Sequence, residues 1–117
     1  MALEYKELIA WQKAMDFVVA IYHETARFPN EEMFGLSAQL RRAAVSIPSN
    51  IAEGQARKSS TEFRRFIKIA NGSRQEVETR ILIAERLGFL SNPVCQKLFS
   101  QANEIGRILH GLSNSLK

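Results

Sequence analysis

Apolar residues recur at steps of three and four along almost the whole of this chain, a spacing that leaves room for little except packed helices. In the first segment Leu8, Trp11, Met15, Val18 and Tyr22 follow it, with a second line of Ala14, Phe17 and Ile21 alongside. The segment "QLRRAAVSIPSNIAEG" continues the pattern through Leu36, Leu40, Ala43 or Ala44, Ile47 and Ile51 without a change of phase at Pro48. A break and restart would slip the phase. One helix is therefore expected across the proline, kinked there because the bond to the Ala44 carbonyl is lost, at a cost of about 3 kcal/mol. A third stripe runs through Phe63, Phe66, Ile67, Ala70, Val77, Ile81 and Ala84. A fourth runs through Val94, Leu98, Ala102, Ile105, Leu109, Leu112 and Leu116.

Terminal signals bound these stripes. Phe28 precedes Pro29 and is pushed away from helical angles, which stops the first helix near Arg27. Asn30 can cap the second, with Glu31 and Glu32 in its first turn. Ser59 and Glu62 form a capping box for the third, and Gly88 suits its C-terminal stop. Asn92 can cap the fourth, with Pro93 in its first position. The expected helices span about 6–27, 31–55, 60–87 and 93–115. Asn71-Gly72-Ser73 weakens the third without breaking its phase. No stretch alternates with period two, so the fold class is all-α: a single domain over residues 1–117, built as an antiparallel up-down-up-down four-helix bundle.

Composition narrows the function classes. At 45% hydrophobic and 24% charged residues the chain reads as an ordinary globular domain, and no apolar run reaches the roughly 20 residues of a membrane span. The N-terminus MALEYKEL is acidic and lacks the basic start and apolar stretch of a signal peptide, so a cytoplasmic location is expected and no membrane partner. The single Cys95 allows no intrachain disulfide and no cysteine metal cluster. His23 and His110 stand alone on different helices, Asp16 is the only aspartate, and there is no phosphate-cradling glycine loop. We expect no catalytic residues, no metal, no cofactor and no enzyme activity.

Charge is uneven along the chain. Residues 1–38 hold three basic and six acidic residues, whereas residues 39–74 hold eight basic residues against Glu53 and Glu62, net +6. A basic middle marks either a polyanion partner or a solvated face. Arg64, Arg65, Lys68 and Arg86 project opposite the core stripe of the third helix, with Arg57 and Lys58 in the loop before it. Arg41 and Arg42 are secondary candidates for phosphate contact. Phe63 and Phe66 are assigned to the core stripe, so no aromatics are interleaved with these cations on the outer face, and the base-stacking platform of single-strand binders is missing. Arg74 falls near the apolar side, where it either snorkels out or meets an acid such as Glu53. Arg42, Ser46, Ser49 and Glu53 line the polar side of the second helix as a hydrogen-bonded network or an interface.

The second helix also carries apolar residues away from its core stripe. Ala38, Val45, Pro48 and Ala52 lie roughly 90° to 180° round, and the third helix adds Ile69, Ile83 and Leu87. Leftover apolar surface on a small protein marks an interface, so a homo-oligomer is expected. The competing reading is a wide core stripe.

Taken together, Trp11-Gln12-Lys13-Ala14, Phe28-Pro29, Gly35-Leu36, the whole of residues 39–54, Phe63 and Ala70-Asn71-Gly72-Ser73 give the chain a resemblance, nearly end to end, to the 23S ribosomal RNA intervening-sequence proteins. Arg74 departs from the pattern, since such proteins more often carry an apolar residue there. The resemblance implies a four-helix bundle assembled as a ring-shaped homopentamer. It also implies relation to the accessory protein of diversity-generating retroelements, a basic pentamer that associates with nucleic acid and a reverse transcriptase. The family name reflects genes inside ribosomal RNA insertions and assigns no activity. Two functions follow as expectations: a non-enzymatic oligomer that binds RNA or DNA through backbone phosphates, or a scaffold that docks a partner protein.

Overall fold

The computed structural model describes residues 4–117. A 3₁₀ turn at Tyr5–Glu7 precedes α1 (Ile9–Thr25); a second 3₁₀ turn at Asn30–Glu32 leads into α2 (Leu36–Ala56), which α3 (Ser60–Arg86) and α4 (Asn92–Ser115) follow. Each helix packs on the next in sequence and α1 packs on α4, which closes the four into a bundle of 46 × 24 × 20 Å. The α2–α3 seam is the most extensive. Among the described residues there is no strand, and α2 runs unbroken through Pro48.

Several ends differ from the sequence reading, each for a local reason. Leu8 is extended (φ −73°, ψ 127°), so α1 begins at Ile9 rather than residue 6. The Tyr5 ring meets Trp11 edge-on at 5.4 Å and holds the first turn against α1. Asn30 caps nothing and opens its own short turn. The carboxylate of Glu32 instead accepts from the Leu36 amide at 3.1 Å, so α2 starts five residues later than expected, with an acid at its positive end. Ser91, not Asn92, caps α4 by accepting from the Val94 amide at 3.4 Å, and the Asn92 amide donates to Glu85.

Other terminal signals act as read, in whole or in part. Ser59 accepts from the Glu62 amide at 3.3 Å, which is half of the expected capping box; the Glu62 carboxylate is taken by Arg65 rather than returned to the Ser59 amide. Gly88 adopts φ +81°, with Gly88 N–H donating to Glu85 and Phe89 N–H to Ala84. That pair of hydrogen bonds is the Schellman closure, whose left-handed residue a Cβ disfavours. Lys58 in the α2–α3 loop also takes a left-handed backbone, φ +57°, without being glycine. That conformation costs a side-chain-bearing residue about 1–2 kcal/mol, and glycine gives back roughly 0.5–1 in entropy. Lys58→Gly is therefore expected to stabilise the fold by about 0.5–1 kcal/mol in urea unfolding. An unchanged or lower midpoint counts against strain at this loop.

The core is built around small residues. Ala14, Ala44, Ala70 and Ala102, one from each helix, have no exposed surface. Leu40, Ile47, Ile51, Val77, Ile81, Leu98, Ile105 and Leu109 fill the space between them. On α1 the order of the two apolar lines is the reverse of that expected. Ala10, Ala14, Phe17 and Ile21 are buried, while Met15 and Tyr22 are exposed and Trp11 and Val18 half-buried. A centre this close suits alanine; the indole and the thioether lie on the flank of α1 that faces α2.

Candidate nucleic-acid interface

The cations expected to meet phosphates separate into two groups. Several are engaged inside the chain. Arg41 donates from Nε to Thr25 Oγ1 at 2.8 Å and stacks 4.6 Å above the Tyr22 ring, tying α2 to the end of α1. Thr25 in turn donates to the Ile21 carbonyl at 2.7 Å, so the contact is satisfied on both sides. Arg64 donates to the Leu116 carbonyl and holds the end of α4. Arg65 grips Glu62 through two nitrogens, at 3.1 and 3.2 Å, and lies 4.5 Å over the Phe66 ring. Those hydrogen bonds hold the Glu62 carboxyl below its usual range and raise the guanidinium. Arg57 pairs with Glu53 at 3.5 Å and meets the same Phe66 ring at 5.1 Å.

The second group is free. Among the described residues no hydrogen bond or ion pair engages the side chain of Arg42, Lys58, Lys68 or Arg86, all exposed. They do not form one patch. Arg42 and Lys58 lie about 24 Å apart along the chain direction, and Lys68 and Arg86 about 27 Å apart on α3. The exposed face of α3 between them carries Gln75, Thr79, Leu82 and Ile83 rather than free cations. The basic back read from the sequence is thus a set of separate points.

Arg74 does not meet Glu53. Its Nε donates to Asn71 Oδ1 at 2.9 Å and its Nη1 to Glu78 at 2.8 Å, with the side chain only 13% exposed. The polar network of α2 also has other members than expected. Ser46 bonds Ser73 across the α2–α3 seam at 2.8 Å, and Asn50 donates to the Ser46 hydroxyl and carbonyl. Arg42 lines a pocket with Ser46 and Ser73 without bonding either, Ser49 lies in the groove beside Val45 and Pro48, and Glu53 pairs with Arg57.

The apolar candidates fall on two surfaces. Val45, Pro48 and Ala52 line a groove of about 590 Å³ between α2 and α1, whose other wall is Trp11, Met15 and Val18, with Tyr5 at one end. Pro48 is buried within the chain and adds to that wall only from below. Ala38 is half-buried. Ile69 and Ile83 are exposed on α3, beside Leu82 and Leu87. The sequence reading missed Phe34, 91% exposed beside the exposed Met33 in the turn before α2. The signal was an aromatic lying off every stripe, between a turn and Gly35.

Among the described residues no group of three or more His, Cys, Asp or Glu is placed to hold a metal ion, and no helix is long and apolar enough to cross a membrane. Burial, and secondarily Glu85, pushes the Cys95 thiol above its ordinary value, so it stays protonated and inert at neutral pH.

A family model described as 23S rRNA-intervening sequence protein matches residues 6–111. In three dimensions the chain is similar to the crystal structure of a protein of unknown function from the S23 ribosomal protein family of Bacteroides thetaiotaomicron. The TM-score is 0.81 at 22% identity, over 92% of this chain and 100% of that one. At that identity the likeness shows the shared four-helix fold. No curated protein matches the chain.

Proposed function

The chain belongs to the 23S rRNA-intervening sequence protein family, and from that premise we propose that it is a non-enzymatic oligomer that binds RNA or DNA through backbone phosphates. The observation that carries the reading is the set of exposed cations with no internal partner, Arg42, Lys58, Lys68 and Arg86. Spread points of charge suit a phosphate backbone, which repeats, better than a compact acidic ligand. The proposed assembly is a ring of five, closed through the α1–α2 groove and the exposed apolar residues of α3, with α2 bent at Pro48. A ring repeats each free cation and multiplies weak contacts. The proposed place of action is the cytoplasm.

Salt dependence tests this. A structured RNA titrated by fluorescence anisotropy is expected to bind roughly 10³-fold more weakly at 200 mM than at 50 mM salt, if six or more phosphates are neutralised. One subunit touching three phosphates would lose only about 40-fold over the same range. Lys58→Glu with Lys68→Glu is expected to abolish binding and leave the fold intact, because neither residue has an internal partner. No binding at low salt would sink the reading.

A second reading is a scaffold that docks a partner protein, such as a reverse transcriptase. The exposed Phe34 and Met33 favour it, since an almost fully exposed aromatic at one end of the bundle is the kind of anchor protein interfaces use. Binding that survives the lysine changes but fails with Phe34→Ser would support it.

A further inference from the structure

A pocket of about 420 Å³ lies between α3 and α4, on the side of the bundle away from the apolar groove, and is lined by Lys68, Asn71, Arg74, Gly106, His110 and Ser113. Three of these are nitrogen bases on two facing helices, and each has donor capacity to spare. Lys68 has no partner among the described residues. Arg74 uses Nε and Nη1 on Asn71 and Glu78, which leaves Nη2 without a hydrogen bond. His110 Nε2 lies 3.2 Å from the Asn114 amide nitrogen. With that amide as donor, the neutral ring carries its proton on Nδ1 and keeps one donor.

The seat of Arg74 is built by α4. A Cβ at residue 106 would stand 2.8 Å from Arg74 Cζ and 3.1 Å from Nη2, so only glycine lets the guanidinium lie flat against the α4 backbone. Sinking a guanidinium into a helix seam costs desolvation that one partially exposed acid offsets in part. Glu78 is the one acid touching these cations among the described residues, and it meets Arg74 alone. The C-terminal end of α4 opposes an anion here, and Arg64 caps its Leu116 carbonyl. Lys68 thus leaves the pocket wall one positive charge beyond the Arg74–Glu78 pair, with Nη2 and His110 as further donors.

We propose that this pocket binds a phosphate group, held by Lys68 Nζ and Arg74 Nη2, with His110 as the third donor. Asn71 and Ser113 supply neutral hydrogen bonds at the rim. The phosphate belongs either to a nucleic-acid strand, which rests on the reading above, or to a small free phosphate compound, which does not.

The test is a titration of the full chain with inorganic phosphate, followed by the amide resonances of Gly106 and Ser113. Saturable shifts with a millimolar Kd, complete by about 10 mM, are expected. Lys68→Ala and Gly106→Ala are each expected to weaken binding about tenfold. Gly106→Ala keeps the fold, because the added methyl meets the far end of a flexible side chain, and far-ultraviolet circular dichroism checks this. A merely structural arginine leaves the phosphate response of that variant unchanged. No saturable shift in the wild type, or equal shifts in both variants, overturns the proposal. Short RNA with and without a 5′-phosphate sorts the source. Displacement of phosphate by RNA assigns the site to nucleic acid. Phosphate binding that RNA leaves untouched upholds the pocket while counting against the nucleic-acid reading.

Discussion

Gly54→Ala is expected to lower stability by about 1 kcal/mol net, roughly 4 °C in Tm for a chain of this size. The new Cβ would stand 2.6 Å from Phe66 Cβ and 3.0 Å from Phe63 Cδ1. Phe66 Cβ is fixed to the backbone, so the side chain cannot swing aside and α2 must part from α3. Overpacking of this kind costs about 1–3 kcal/mol. The Phe66 ring also seats Arg57 and Arg65, so its displacement loosens two ion pairs. Alanine gains about 1 kcal/mol over glycine in a helix interior, which offsets part of the loss. Gly72→Ala isolates that gain, since beyond its own helix backbone and chain neighbours nothing lies within 4 Å of a Cβ there, and should stabilise by about 1 kcal/mol. Urea unfolding of the pair reads both signs. Two variants shifted equally would mean that the α2–α3 seam tolerates the methyl.

Ala52→Glu is expected to turn the proposed oligomer into monomers while each subunit stays folded. Ala52 is half-buried in the wall of the α1–α2 groove, next to Val45 and Pro48 and across from Trp11 and Met15. In a free subunit the new carboxylate reaches water from the open groove. In an interface it is buried beside Glu53, without a partner. An unpaired buried charge costs at least about 3 kcal/mol, a loss of more than 10² in affinity at each contact. Sedimentation velocity at micromolar protein gives the mass and circular dichroism the helix content. A wild-type chain that sediments as a monomer would falsify the assembly itself; an oligomeric Ala52→Glu variant would move the interface to Ile69, Ile83 or Phe34.

How far the sequence could be read depended on whether a feature is relative or absolute. The stripe of α4 from Leu98 to Leu109, the Ser59 cap and the left-handed Gly88 are local patterns, and the structure contains each of them. The face of α1 was misjudged because periodicity fixes angles between residues but not the direction of the core. Trp11 and Met15 looked like the heavier stripe, yet alanines crowd the centre of the bundle. The site suffered similarly. Counting arginines gave a basic middle, but Glu53–Arg57, Glu62–Arg65 and Arg74–Glu78 are spaced three or four apart on their helices and neutralise one another. That spacing is visible in the sequence. The contacts of Arg41 with Thr25, Arg64 with Leu116 and Arg74 with Gly106 join different helices across 16 to 52 residues of chain, and nothing local signals them.

The α2–α3 seam carries a consequence for the order in which the chain assembles. A close approach along it, Gly54 against Phe66, flanks a loop of a few residues, and Ser46 and Ser73 bond farther along the same seam. Closing so short a loop takes about 10–100 ns, far less than bringing the chain ends together. The two central helices are therefore expected to zip from Lys58 outward into a hairpin, onto which α1 and α4 dock later. The helix that holds a proline in its middle would then be among the first to form, templated by its neighbour rather than by its own propensity.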